Sequence, residues 1–204
     1  MLRIANDYEE VETIKKSRFI TYLHRCFSEQ EAKDYILKIK KIHPEATHHC
    51  YAFIIGENQE LQRSNDDGEP HGTAGLPILE SLKLNNMCDI IAVVVRYYGG
   101  ILLGTGGLVR AYSGGVSSAL KNAPLVQNIT MSRYQIDFSY DLIGRIDYLF
   151  KEDNIIILDK LYEEKVTYIF LSKDKLILTK LQEITAGNYI PIFIKQEIIE
   201  AAIQ

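Results

Sequence analysis

Three polar clusters in the first part of the chain hold most of the residue types that do chemistry. Ala46-Thr47-His48-His49-Cys50-Tyr51-Ala52 offers imidazoles and a thiol. Arg63-Ser64-Asn65-Asp66-Asp67-Gly68-Glu69-Pro70-His71-Gly72-Thr73-Ala74-Gly75 gathers carboxylates, one His and one Arg immediately before a helix start near Thr73. Asp66, Asp67 and Glu69 suit a cation, a hydrogen-bond donor or, in an enzyme, the proton of a substrate, whereas free N–H groups of Ala74 and Gly75 suit an anion. These preferences oppose one another and leave the ligand's charge open. The third cluster runs from Arg96 through Tyr97, Gly99, Gly100, Gly104, Thr105 and Gly107 to Arg110. It joins an apolar strand to a helix, the context in which a glycine-rich turn cradles phosphate. Arg96 and Arg110 are its best candidates for touching an anion. Its glycines serve equally well for close backbone approach or positive φ.

Spacing removes several standard machineries. A dinucleotide fingerprint begun at Gly104 meets Val109 where a third small residue is needed, and a phosphate loop begun at Gly99 has Thr105 in place of Lys. The calcium-loop and H-E-x-x-H spacings are absent, as is a G-x-S-x-G elbow. Alternation along a strand lets only one of His48 and His49 face a given site. Cys26, Cys50 and Cys88 are odd in number and far apart, which fits plain reduced thiols. No metal and no cofactor is expected.

The elements that position these clusters follow from periodicity and turn signals. Strands are predicted over Arg18 to Arg25, Ala52 to Ile55 and Ile90 to Tyr97, with helices from a capping box at Ser28 to Glu31, over Thr73 to Leu84 and over Gly107 to Leu120. The break at Lys121-Asn122-Ala123-Pro124 opens a different composition, so two domains are expected, 1–127 and 128–204. In the second, Met131 to Phe138, Asp141 to Lys151, Ile155 to Lys160, Lys165 to Leu171, Lys173 to Ala186 and Tyr189 to Ile199 read as β-α-β-β-α-β, a ferredoxin-like order. The overall class is α+β.

Of the 204 residues, 47% are hydrophobic, enough for real cores. The formal charge of -4 disfavours holding nucleic acid by net charge alone. No signal peptide or membrane-spanning segment is read, so a cytoplasmic protein is expected, with no membrane partner.

Asp66-Asp67-Gly68-Glu69-Pro70-x-Gly-Thr-Ala-Gly75, Ala46-Thr47-His48 and Arg96-Tyr97-Tyr98-Gly99-Gly100-x-x-Leu-Gly104-Thr105-Gly-Gly-Leu-x-Arg110-Ala-Tyr112 together resemble the signature of the IMPACT/YigZ family. The resemblance departs at Tyr98, where Phe is usual, and at His71, where Ser is common. It implies a first domain with the left-handed β-α-β fold of the second domain of a ribosomal protein, and a ferredoxin-like second domain, the pair resembling consecutive domains of elongation factor G. It implies also a translation-regulatory role, because eukaryotic IMPACT proteins regulate translation. The expectation is a regulatory factor binding the ribosome, RNA or a translation-factor protein through a cleft of His48, Arg63, Asp66, Asp67, Gly68, Glu69, Gly72, Thr73, Arg96, Tyr97, Gly99, Gly100, Gly104, Thr105, Gly107 and Arg110. The alternatives are a hydrolase of a small phosphorylated or peptide-like substrate, and an interaction module docking through the second domain's sheet. Oligomeric state is open at this level.

Overall fold

Ile90-Ile91-Ala92-Val93-Val94-Val95 has no polar alternation, which is the pattern of a strand covered on both faces. The computed structural model, which describes residues 1–203, places it at the centre of a sheet with order β2(Tyr8–Ile14)-β3(Ser17–Arg25)-β6(Ile90–Tyr97)-β4(His48–Ile55)-β5(Leu61–Asn65). Every neighbouring pair is antiparallel, so β3 and β4, both flanking β6, run parallel to each other. Their crossover is α1(Glu29–Ile42), started by Ser28, whose side chain accepts from the Glu31 N–H. Helix α1 packs Ala32, Tyr35, Ile36 and Ile39 against Ile91, Val93 and Val95. On the other face, α2(Gly75–Leu84) and α3(Thr105–Asn122) cover Ala92 and Val94 with Ile78, Leu82, Leu108, Tyr112 and Val116.

The chain is thus α+β, with two sheets and five helices among the described residues. It divides into two compact units, Met1–Gln127 with the residues from Ala201 onward, and Asn128–Glu200. In the first, β1(Leu2–Ile4) pairs with residues 125–127 at the start of β7(Leu125–Phe138), and the Ile203 N–H donates to the Leu125 carbonyl. The second unit follows the order β7-α4(Ile143–Glu152)-β8(Ile156–Tyr162)-β9(Val166–Ser172)-α5(Leu176–Ile184)-β10(Ile192–Ala202), with strands adjacent as β10-β7-β9-β8. Phe138, Phe150, Tyr168 and Phe170 fill its core. Helix α5 ends at Gly187, whose φ of 76° lets its N–H turn back to Gln182.

Three strands of the first unit lie outside the expected elements. β2 reads Tyr-Glu-Glu-Val-Glu-Thr-Ile, an edge strand whose polar side chains point to solvent or to α3, where Glu10 accepts from Ser118 and Asn122. β1 is too short to carry a period. β5 takes in Arg63, Ser64 and Asn65, which read as loop because an exposed edge strand has no apolar alternation. β4 starts at His48, four residues earlier than expected, and so carries both histidines into the sheet.

Candidate functional site

The strand ends and loops meet in a pocket of about 430 Å³ lined by His48, Gly68, Glu69, Pro70, Arg96, Tyr98, Leu102, Leu103, Gly104, Thr105 and Leu108, with Thr47. Register builds its floor: His48 on β4 is the cross-strand neighbour of Arg96 on β6. The turn after β5 then brings Glu69 beneath them. Glu69 is 8% exposed and Arg96 4%. The guanidinium Nη1 lies 2.6 Å from Glu69 Oε1, and the Tyr112 hydroxyl of α3 donates to the same oxygen at 2.7 Å. Arg96 Nη2 donates to Ser17 Oγ, and the guanidinium carbon Cζ lies 5.4 Å from the ring centroids of both Phe19 and Tyr98. Arg96 Nε, in contrast, is buried with no hydrogen-bond partner among the described residues. Tyr112 is fully buried, and burial first, then the neighbouring Cys50 and Glu69, push its phenol far above the ordinary value.

His48 Nδ1 lies 2.9 Å from the Asp67 carbonyl. A carbonyl only accepts, so Nδ1 carries a hydrogen, and Nε2 lies 3.8 Å from Glu69 Oε1. His49 points to the opposite face, where Nε2 meets the His43 carbonyl, as strand alternation requires.

Asp66 answers the question of the N–H groups at the start of α2. Its carboxylate accepts from Gly72, Ala74 and Gly75 at 2.8–3.0 Å, so the anion at that helix end is the chain's own side chain. Burial alone would raise its pKa, but the three N–H groups outweigh this and hold it below the usual carboxylate value. Asp67 behaves alike: Lys40 Nζ at 2.8 Å and the His49 N–H at 2.7 Å overcome the desolvation that would raise it. A depressed folded-state pKa contributes stability above the unfolded value of ~3.9, and that contribution is lost as pH falls through the folded value. Asp66→Ala is therefore expected to lower stability at neutral pH by about 2 kcal/mol, the scale of a lost N-cap with charge-assisted bonds. Its stability should also fall less steeply than that of wild type on acidification. Urea melts across the acid range check both; equal acid slopes would show that Asp66 does not carry this linkage.

Six of the expected site residues line the pocket: His48, Gly68, Glu69, Arg96, Gly104 and Thr105. The others lie elsewhere. Arg63 sits exposed on β5 and donates to the Gln62 carbonyl, because its strand is the far edge of the sheet. The Tyr97 hydroxyl meets His43 on the α1 face, since successive strand residues alternate. Arg110 and Gly107 line a separate depression with Glu12 and Lys15, on another side of α3. Asp66, Asp67, Gly72 and Thr73 build the turn that carries Glu69; Thr73 caps it by donating to the Pro70 carbonyl. Gly99 and Gly100 form the turn after Tyr98, and Gly99 lies on the β2–β3 hairpin. Arg96 reaches the site but is held by Glu69 rather than open to an anion. Tyr112, Ser17, Leu102, Leu103 and Leu108 were not nominated. Tyr112, Leu103 and Leu108 left a trace in sequence, as part of the family signature, whereas Ser17 and Leu102 left none.

Cys26, Cys50 and Cys88 are free and buried. Burial pushes the Cys26 thiol up to about 12 and raises Cys50 and Cys88 as well, so none is poised as a nucleophile. Among the described residues, no helix is long and apolar enough to cross a membrane.

Fold and site together define a two-unit α+β protein with an apolar-walled pocket over a buried Glu-Arg-Tyr cluster. Residues 15–120 match the Impact N-terminal domain. The chain is 43% identical over 187 residues to the IMPACT family member YvyE of Bacillus subtilis, covering 90% of this chain and 85% of the relative. It is 45% identical over 141 residues to the IMPACT family member YigZ of Escherichia coli, covering 68% and 69%. A crystal structure described as that of a hypothetical protein is 37% identical, with a TM-score of 0.61 over 95% of this chain and 97% of that one. The chain belongs to the IMPACT family.

Proposed function

We propose that the protein is a translation-associated regulatory factor of the cytoplasm, and that its first unit binds a component of the translation machinery through the pocket above Glu69 and Arg96. Family membership supports the regulatory reading. The observation that carries the mode of binding is the make-up of the pocket. Pro70, Leu102, Leu103 and Leu108 are apolar walls, and Leu102 and Tyr98 stand exposed at 82% and 45%. The floor charges are already paired. Such a site suits an apolar or aromatic side chain of a protein partner better than a phosphate backbone, which needs open cations. The start of α3 adds donors, since Gly104 caps it without a side-chain bond.

Gradient sedimentation of lysate at low and moderate salt, probing translation factors and ribosomal particles, tests this. Wild type is expected to co-migrate with one of them, and Tyr98→Ala with Leu102→Asp to weaken that association about tenfold, or ~1.4 kcal/mol. Wild type that co-migrates with neither the particles nor any probed factor at both salts would remove the proposal.

A hydrolase acting on a small phosphorylated or peptide-like substrate is the second reading, favoured by the His48 imidazole in the pocket lining, the side-chain type that most often serves as general acid or base. The carboxylates are less suited to act as base there: Asp66 and Asp67 are held ionised by their donors, and Glu69 Oε1 is taken by Arg96 and Tyr112.

A further inference from the structure

β10 forms an outer edge of the second unit's sheet: it pairs with β7, and no strand among the described residues pairs with its other side. Edge strands of soluble proteins are normally short, or blunted by charge or proline. This one has 11 residues and exposes Ile192, Phe193, Ile194 and Ile198 at 62%, 53%, 43% and 68%. Between the two halves of this apolar run stand Lys195, Gln196 and Glu197.

We infer that residues 192–200 pair antiparallel with the same strand of a second copy of this chain, across a two-fold axis at Gln196. The occupant follows from the order of charges. A two-fold axis normal to the sheet keeps the helices of both copies on one side and sets residues of equal parity opposite one another. With the axis at Gln196, Lys195 lies opposite Glu197 of the second copy and Ile194 opposite its Ile198, each pair occurring twice. Phe193 then faces Ile199. Moving the axis one residue toward the N-terminus stacks Lys195 on Lys195, and one residue toward the C-terminus stacks Glu197 on Glu197. Like charges directly opposite destabilise a ladder, while opposite charges and β-branched pairs support it. The strand is therefore complementary to itself in the register centred on Gln196. Within one copy, Arg133 and Lys195 already flank the Glu197 carboxylate, at 2.9 and 3.1 Å. An isologous contact of this kind closes at two copies and leaves no further apolar edge on β10.

Light scattering and sedimentation equilibrium of the full chain test the inference. Wild type is expected at about twice 23.3 kDa at high micromolar concentration. Lys195→Glu and Glu197→Lys are each expected to bring four like charges together and weaken association at least about tenfold. An equimolar mixture of the two variants should return to the dimer mass, because each then supplies the charges the other lacks. Circular dichroism of each variant confirms that it is folded. Wild type at monomer mass throughout, variants that dimerise as wild type does, or a mixture that stays monomeric would each overturn it.

Discussion

Glu69→Leu is expected to destabilise the first unit by about 3–5 kcal/mol, the scale of leaving a buried charge without its partner. The Arg96 guanidinium is 4% exposed on central strand β6, with its central carbon 5.4 Å from the Phe19 and Tyr98 ring centroids, so little of its charge is solvated in place of the carboxylate. Its hydrogen bond to Ser17, at 3.3 Å, is too weak to replace a carboxylate at 2.6 Å. Tyr112 loses its acceptor in the same step. Glu69→Leu combined with Arg96→Met should recover most of the loss, because exchanging a whole buried pair for apolar groups of similar volume is often neutral. Guanidinium melts of the three proteins measure this. A single variant within ~1 kcal/mol of wild type would mean that the pair does not hold this part of the fold.

Gly99→Ala is expected to cost about 3 kcal/mol, the upper range for overpacking. A Cβ at this position would lie 2.1 Å from both the carbonyl carbon and oxygen of Lys16. Both atoms are backbone, in the two-residue turn that joins Ile14 to Ser17, so no side-chain rotation relieves the clash. That turn already holds Lys15 and Lys16 at φ of 45° and 68°, in the left-handed region. The hairpin or the loop after β6 has to move, and the loop is also held by Thr47, which accepts from the Tyr98 N–H, and by Ser17, which accepts from the Gly99 N–H. The loss of stability should therefore be accompanied by weaker association in the sedimentation test of the proposed pocket at Tyr98 and Leu102. A denaturation midpoint unchanged from wild type would show that Gly99 does not rest on the hairpin.

The central elements were legible because their physics is local. Ser28 to Glu31 announces the start of α1, the unbroken apolar run of β6 announces a strand covered on both faces, and Gly187 ends α5. The edge strands β1, β2 and β5 were not legible, since an exposed strand makes its hydrogen bonds to a neighbour far along the chain and needs no apolar alternation of its own. The same limit applied to the pocket. The acidic and glycine-rich clusters marked the neighbourhood, but half of a cluster's side chains face away from any one point, as Tyr97 and His49 do from Arg96 and His48.

The sequence by itself determined the α+β class, the family signature and the concentration of polar chemistry before Tyr112, because composition, period and glycine spacing are written in order along the chain. The tertiary structure alone decided which charges are open. Asp66 closes the helix end that looked free, Glu69 neutralises the arginine that looked available, and Leu102, Leu103 and Leu108 become pocket walls. Whether a charge meets solvent or a counter-charge depends on strand register and burial across tens of intervening residues, and those distances exist only once the chain has folded.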